Sequence, residues 1–166
     1  MLIYHPVYDA YHCVFRMLTL AEHLKNLEVD KARLLDFYLV FPGAMESIRL
    51  SGGLKPLRKI AKNLANEYRD PVSNLSTFRE MRHIQEAALK SIAASGLIDI
   101  DRYKTGYVDR TAQPIPGAIE AKIQEFMSSN LIIKDAVLNK LAKMPLLGTD
   151  GLKHRSKLLE YRYDVV

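Results

Sequence analysis

The chain has 166 residues, of which 48% are apolar, so it can bury a core and is not a disordered tail. Its one cysteine, Cys13, excludes a disulfide framework and a thiolate-rich zinc site. The formal charge of +5 has a single origin: Ser47–Asn66 holds Arg49, Lys55, Arg58, Lys59 and Lys62 and no acid, and without those five the count is 19 basic against 19 acidic.

Tyr4 to Tyr11 is aromatic and turn-like, with Pro6 and Asp9. The spacing of Val14, Met17, Leu18, Ala21 and Leu24 predicts a helix over 12–27. Asp30 is the expected N-cap of a second helix. Leu34, Leu35, Tyr38, Leu39 and Phe41 make that helix apolar over much of its girth, which predicts a central position. Pro42-Gly43 bends or ends it, and Ala44–Leu50 reads as a further turn or two. After the Ser51-Gly52-Gly53 loop, Pro56 suits the first turn of a helix over 56–68. Asp70-Pro71 ends that helix, and Val72–Leu75 is loop. Thr77 and Glu80 match a capping box for a long helix, Phe78–Ser95, that turns Met81, Ile84, Ala88, Leu89 and Ile92 inward and stops at Gly96. Leu97, Ile98 and Ile100 then read as a strand, Arg102–Gly106 as a turn and Tyr107–Arg110 as a returning strand. Helices over 117–128 and 131–144 follow, then a Pro145–Gly151 loop. The tail alternates Tyr161, Tyr163 and Val165 and is expected to end in a strand.

Asp36 and the Lys134-Asp135 pair interrupt the longest apolar runs, well short of the ~18 residues of a membrane span. The first residues lack a basic leader and an apolar signal core. A soluble, cytoplasmic protein with no membrane partner is expected.

Helix, basic helix, long helix and hairpin, taken from Leu34 to Thr111, is the order of a winged helix-turn-helix. The expected fold is therefore mainly α. It is one domain over 1–166, with a winged-helix-like core at about 30–111 and a short β-hairpin. The N-terminal helix 12–27 and the C-terminal helices 117–144 pack on that core. The third helix would be the reading element of a DNA binder. It carries Arg79, Arg82, His83 and Lys90 but also Glu80 and Glu86, a mixed surface, and Gln85 is expected as exposed polar surface rather than a base reader.

The basic helix is a sharper signal. Leu57, Ile60, Ala61 and Leu64 recur at i, i+3, i+4, i+7, and Lys55, Arg58, Lys59 and Lys62 follow the same spacing on an adjoining face. Like charges stacked this way repel by a few tenths of a kcal/mol per pair. Such a face is either a solvated surface or a contact for phosphates or an acidic protein. Four phosphate contacts would give a salt slope of about −3.6.

No catalytic constellation emerges, so no enzyme and no cofactor is expected. His5, Asp9, His12 and Cys13 are close in sequence, but His12 and Cys13 point to different helix faces, and Cys13 reads as a buried apolar residue. Asp99, Asp101 and Asp109 read as charged positions on an exposed wing. Gly148-Thr149-Asp150-Gly151 lacks the lysine of a phosphate-binding loop.

Four strings carry a family resemblance. They are Tyr4-His5-Pro6 with Tyr8-Asp9 and Tyr11–Leu18; Leu34–Leu39 with Phe41-Pro42 and Ile48-Arg49-Leu50; Gly96–Asp99 with Arg110-Thr111; and Gly148 with Gly151–Arg155 and Glu160–Asp164. Together they make the chain similar to a middle component, of the fifth type, of bacterial ABC three-component conflict systems. The resemblance implies a non-catalytic adaptor between an ABC ATPase of the chromosome-maintenance and repair kind and an effector, in anti-phage or anti-plasmid defence. The implied partners are that ATPase, the effector, double-stranded DNA reached through the complex, and a second copy of the chain. On this reading Arg49, Lys55, Arg58, Lys59, Lys62, Arg79 and Arg82 meet DNA or an acidic partner. Tyr4, Tyr8, Tyr11, Tyr161 and Tyr163 are protein-docking edges. The other reading is a stand-alone winged-helix transcriptional regulator that binds DNA as a dimer, against which the mixed charge of Phe78–Ser95 argues.

Overall fold

A computed structural model describes residues 9–50 and 52–160. The Asp9 carboxylate accepts the Tyr11 amide at 2.8 Å and caps α1, Ala10–His23. Asn26, at φ +50, then turns the chain into β1, Leu27–Glu28. The helix thus begins and ends earlier than 12–27, because a capping aspartate precedes it and a left-handed asparagine follows it. α2, Val29–Val40, is buried at every position from Ala32 to Leu39, in the central place that its apolar girth predicts. Asp30 is not its cap. The helix starts one residue before it, and Asp30 instead faces Lys153 at 3.6 Å from the first turn.

The Pro42–Ser47 segment forms a 3-10 turn on which α3, Lys55–Leu64, packs through Leu57 and Ala61. Gly43 marks a close approach: a Cβ there would lie 2.8 Å from the Ala65 Cα and 2.7 Å from Asp70 Oδ2. α3 ends at Leu64, before the predicted Tyr68, because Asn66–Asp70 folds into a turn of its own. The Thr77–Glu80 capping box does not open the next helix. Ser73 Oγ accepts the Ser76 amide at 3.2 Å, which starts α4, Asn74–Glu80, earlier and leaves Thr77 inside it. The long helix predicted over 78–95 is divided at Met81, whose amide is shared between the Thr77 and Arg79 carbonyls, and α5 runs Arg82–Ala94. Gly96, at φ +75, stops α5 as its position predicts.

The segment after Gly96 takes a different form from the predicted hairpin. Ile98 makes one antiparallel bridge with Arg110. Ile100, expected in a strand, opens a short helix, α6, Ile100–Lys104, because the Asp99 carboxylate accepts the Arg102 amide at 2.9 Å. Gly106, at φ +94, returns the chain into β2, Tyr107–Val108. The ladder partner of β2 is β1: Leu27 lies opposite Val108 and Glu28 opposite Tyr107.

α7, Gly117–Ser129, lies against α1. The helix predicted over 131–144 changes geometry twice, from α8, Leu131–Lys134, through a π turn, Asp135–Lys140, to a 3-10 turn, Leu141–Lys143. It widens where three consecutive side chains, Ala136, Val137 and Leu138, are all buried toward α2 and α3. α9, Leu152–Ser156, closes the described region, and the expected strand at 161–165 lies outside it. The fold is mainly helical with one small antiparallel sheet. No helix among the described residues is long and apolar enough to cross a membrane.

Candidate interaction site

The cationic face of α3 is built by its apolar one. Leu57 and Ala61 seat the helix on the Pro42–Ser47 turn, which leaves Lys55, Arg58, Lys59 and Lys62 exposed. None of the four forms an ion pair with another described residue. Lys55 and Arg58 also stand in the first helical turn, where the positive end of the helix dipole opposes cations. Like-charge stacking and dipole both disfavour this arrangement, so stability alone does not account for it.

The other basic candidates are placed differently. The exposed Arg49 borders a small hollow lined by Thr149, Asp150, His154 and Arg155. Its carbonyl accepts the Arg155 guanidinium, and its amide donates to the Arg155 carbonyl at 3.4 Å. Arg79 is exposed on α4 with no ion pair to a described residue. Arg82 is engaged: its Nε donates to Glu86 Oε1 at 2.8 Å, one turn along α5. That hydrogen bond raises the Arg82 pKa and is the main reason that the Glu86 pKa falls. Tyr11 is half-exposed and sits edge-on to Phe15 with ring centroids 4.4 Å apart. Tyr4, Tyr8, Tyr161 and Tyr163 lie outside the described residues.

Directly after α3 comes a feature that sequence reasoning missed. Tyr68 and Val72 are fully open to solvent, at 97% and 108% relative exposure. The signal was Asn66 four residues before Asp70-Pro71, a pattern that favours a turn over a helix end.

A second missed feature is a buried polar cluster joining α1, α2 and α5. Arg16 Nε donates to Asp36 Oδ1 at 2.5 Å, and Arg16 Nη2 to Asp36 Oδ2 at 3.4 Å. Gln85 Nε2 donates to Asp36 Oδ2 at 2.8 Å and to the Arg33 carbonyl at 3.1 Å, while Arg33 Nε donates back to Gln85 Oε1 at 3.1 Å. The expectation that Gln85 is surface is overturned: it is 0% exposed, and its buried amide is satisfied by Arg33 and Asp36 of α2. Burial alone would push the Arg16 pKa down, but the Asp36 carboxylate outweighs it and the net direction is up. Burial first, and Asp36 second, push the Cys13 thiol up.

Between α1, the end of α2 and α7–α8 lies a cleft of about 390 Å³, walled by Phe15, Leu39, Phe126 and Ile133 and edged by Arg69 and Lys122. His12 Nδ1 lies 3.1 Å from Asp9 Oδ2, while Cys13 faces Asp36 inside the fold, so the two neighbours do point apart. Among the described residues no three His, Cys, Asp or Glu side chains gather to hold a metal ion. Of the three aspartates expected at exposed positions, Asp101 is exposed, whereas Asp99 caps α6 and Asp109 holds Arg102 at 2.7 Å, both half-buried.

The strings that carry the resemblance meet one another in space. Arg16 of the first pairs with Asp36 of the second. Arg49 of the second is braced by Arg155 of the fourth. Within the third, Thr111 Oγ1 donates to the Gly96 carbonyl and Arg110 Nη1 to the Leu97 carbonyl. A family model described as ABC-three component (ABC-3C) system Middle Component 5 matches residues 2–164. No curated protein and no solved structure matches the chain.

Proposed function

The chain belongs to the Middle Component 5 family of ABC-three component systems, and from that premise we propose that it is the system's non-catalytic adaptor. In this reading it links a chromosome-maintenance-type ABC ATPase to an effector in anti-phage or anti-plasmid defence, and DNA is met through the ATPase. The observation that carries it is the face of α3, on which Lys55, Arg58, Lys59 and Lys62 stay exposed and without ion pairs to described residues. Such a face gains by meeting an acidic surface. Arg49 and Arg79 are assigned to the same work, and Arg82 only after release from Glu86.

The fold part of the proposal is a winged-helix-like core within one folding unit. The support is the order of the extended segments: Leu27–Glu28 beside Tyr107–Val108, and Ile98 bridged to Arg110. A stand-alone regulator fits less well, because α5 has Gln85 buried and Arg82 paired, which leaves little free charge to enter a groove.

Co-expression with the ATPase and effector of its own system tests the adaptor role. A tagged chain should bring down both proteins, and Lys59→Glu with Lys62→Glu should weaken the yield. A chain that elutes alone, with both partners soluble in the same lysate, removes the proposal.

A further inference from the structure

An exposed side chain by itself says little. Tyr68 differs in how firmly it is held. The Asp70 carboxylate accepts the Asn66 amide at 2.7 Å, and Asn66 Oδ1 accepts the amide of Tyr68 itself at 3.0 Å. The Arg69 and Asp70 amides both donate to the Asn66 carbonyl, at 3.0 and 2.7 Å. The two ends of the turn, Ala65 and Asp70, rest on Gly43, where no Cβ holds them off. Four hydrogen bonds therefore fix a turn whose aromatic ring touches almost nothing. A contact ordered before binding loses less entropy when it binds.

We propose that α3 and the Asn66–Ser73 turn form one docking surface for an acidic protein surface. Tyr68 and Val72 are its apolar centre, and Lys55, Arg58, Lys59 and Lys62 its cationic flank. This rests on the adaptor reading and names the face that the ATPase meets. Charge complementarity sets the sign of the partner: Lys55, Arg58, Lys59, Lys62 and Arg69 stand against Glu67 and Asp70, and Asp70 is committed to the turn. Val72 decides between protein and nucleic acid. A phosphate backbone satisfies the cations, and a base can stack on Tyr68, but neither covers an aliphatic side chain that stands fully in solvent. An interface with an apolar centre and a charged rim covers all six residues. Tyrosine is also enriched among the residues that dominate binding energy.

The test uses the full chain and the purified ATPase of its system, with affinity measured between about 50 and 200 mM salt. Tyr68→Ala should weaken binding about tenfold or more. Val72→Ser should weaken it less, and Lys59→Glu with Lys62→Glu should flatten the salt dependence. Both anchor residues are exposed, so the melting temperature of each variant should match the parent and separate lost contact from lost fold. Short random-sequence DNA, single-stranded and duplex, is the second probe, and Tyr68→Ala should leave its binding unchanged. If the ATPase binds Tyr68→Ala and Val72→Ser as tightly as the parent, this surface is wrong and the adaptor reading stands. If Tyr68→Ala loses DNA but keeps the ATPase, nucleic acid is the occupant and the proposal is overturned. If the parent chain itself ignores the ATPase, the adaptor reading fails first.

Discussion

Asp36→Asn tests the buried cluster most directly. The substitution keeps the shape of the side chain and removes its charge. In the native chain the Asp36 carboxylate is fully buried and takes donors from Arg16, Gln85 and Cys13. Asparagine takes the Asp36 charge away from the buried Arg16 guanidinium, and sets an amide NH2 among groups that are already donors. Removing one partner of a buried ion pair costs about 3–5 kcal/mol. For a chain of this size each kcal/mol lowers the melting temperature by roughly 2–4 °C, so the expected drop is roughly 6–20 °C. Thermal unfolding followed by far-ultraviolet circular dichroism reads it. The double variant Arg16→Met with Asp36→Leu removes both charges and should be more stable than either single one. Gln85 keeps the Arg33 carbonyl as a partner in it. A melting temperature for Asp36→Asn within about 2 °C of the parent, or a double variant no better than the sum of the singles, refutes the reasoning.

Three more predictions follow from the local geometry. Gly43→Ala should destabilise the chain by about 1–3 kcal/mol, since the new methyl meets backbone at Ala65; an unchanged urea midpoint would count against it. Ser73→Ala removes the cap of α4 and should cost about 1 kcal/mol by the same measurement, whereas a gain would mean that the cap is elsewhere. Cys13 should resist a thiol reagent in the native chain and react once unfolded, because burial and the neighbouring carboxylate both oppose the thiolate. Rapid, complete labelling under native conditions would show the opposite.

What could be read in advance was set by neighbours in sequence. The girth of α2, the two faces of α3 and the stop at Gly96 depend on residues within two turns, and the structure has all three. Asp36 and Gln85 depend on each other across 49 positions, and Arg33 and Gln85 across 52. No local period records such a pairing, so an interior carboxylate read as an interruption and its amide partner as surface. The strand reading of Leu97–Ile100 failed for another reason. Leu97, Ile98 and Ile100 fit a strand, yet Asp99 with Arg102 fits a helix cap equally well, and three apolar residues are too few to outweigh one capping hydrogen bond. β1 is two residues long, too short for any pattern. The cationic surface was legible in charge alone. The turn beside it was not, because Ala65–Tyr68 continues a helix as plausibly as it leaves one.

The pairing of β1 with β2 has a consequence for how the chain is made. About 80 residues separate Leu27 from Val108, and synthesis at about 5–20 residues per second puts roughly 4–16 s between their appearances. Throughout that interval β1 is an open edge, and the side of α1 that α7 covers faces water longer still. The segment that completes the small sheet comes late, so ribosomes that stall before Gly106 release a chain with both liabilities uncovered.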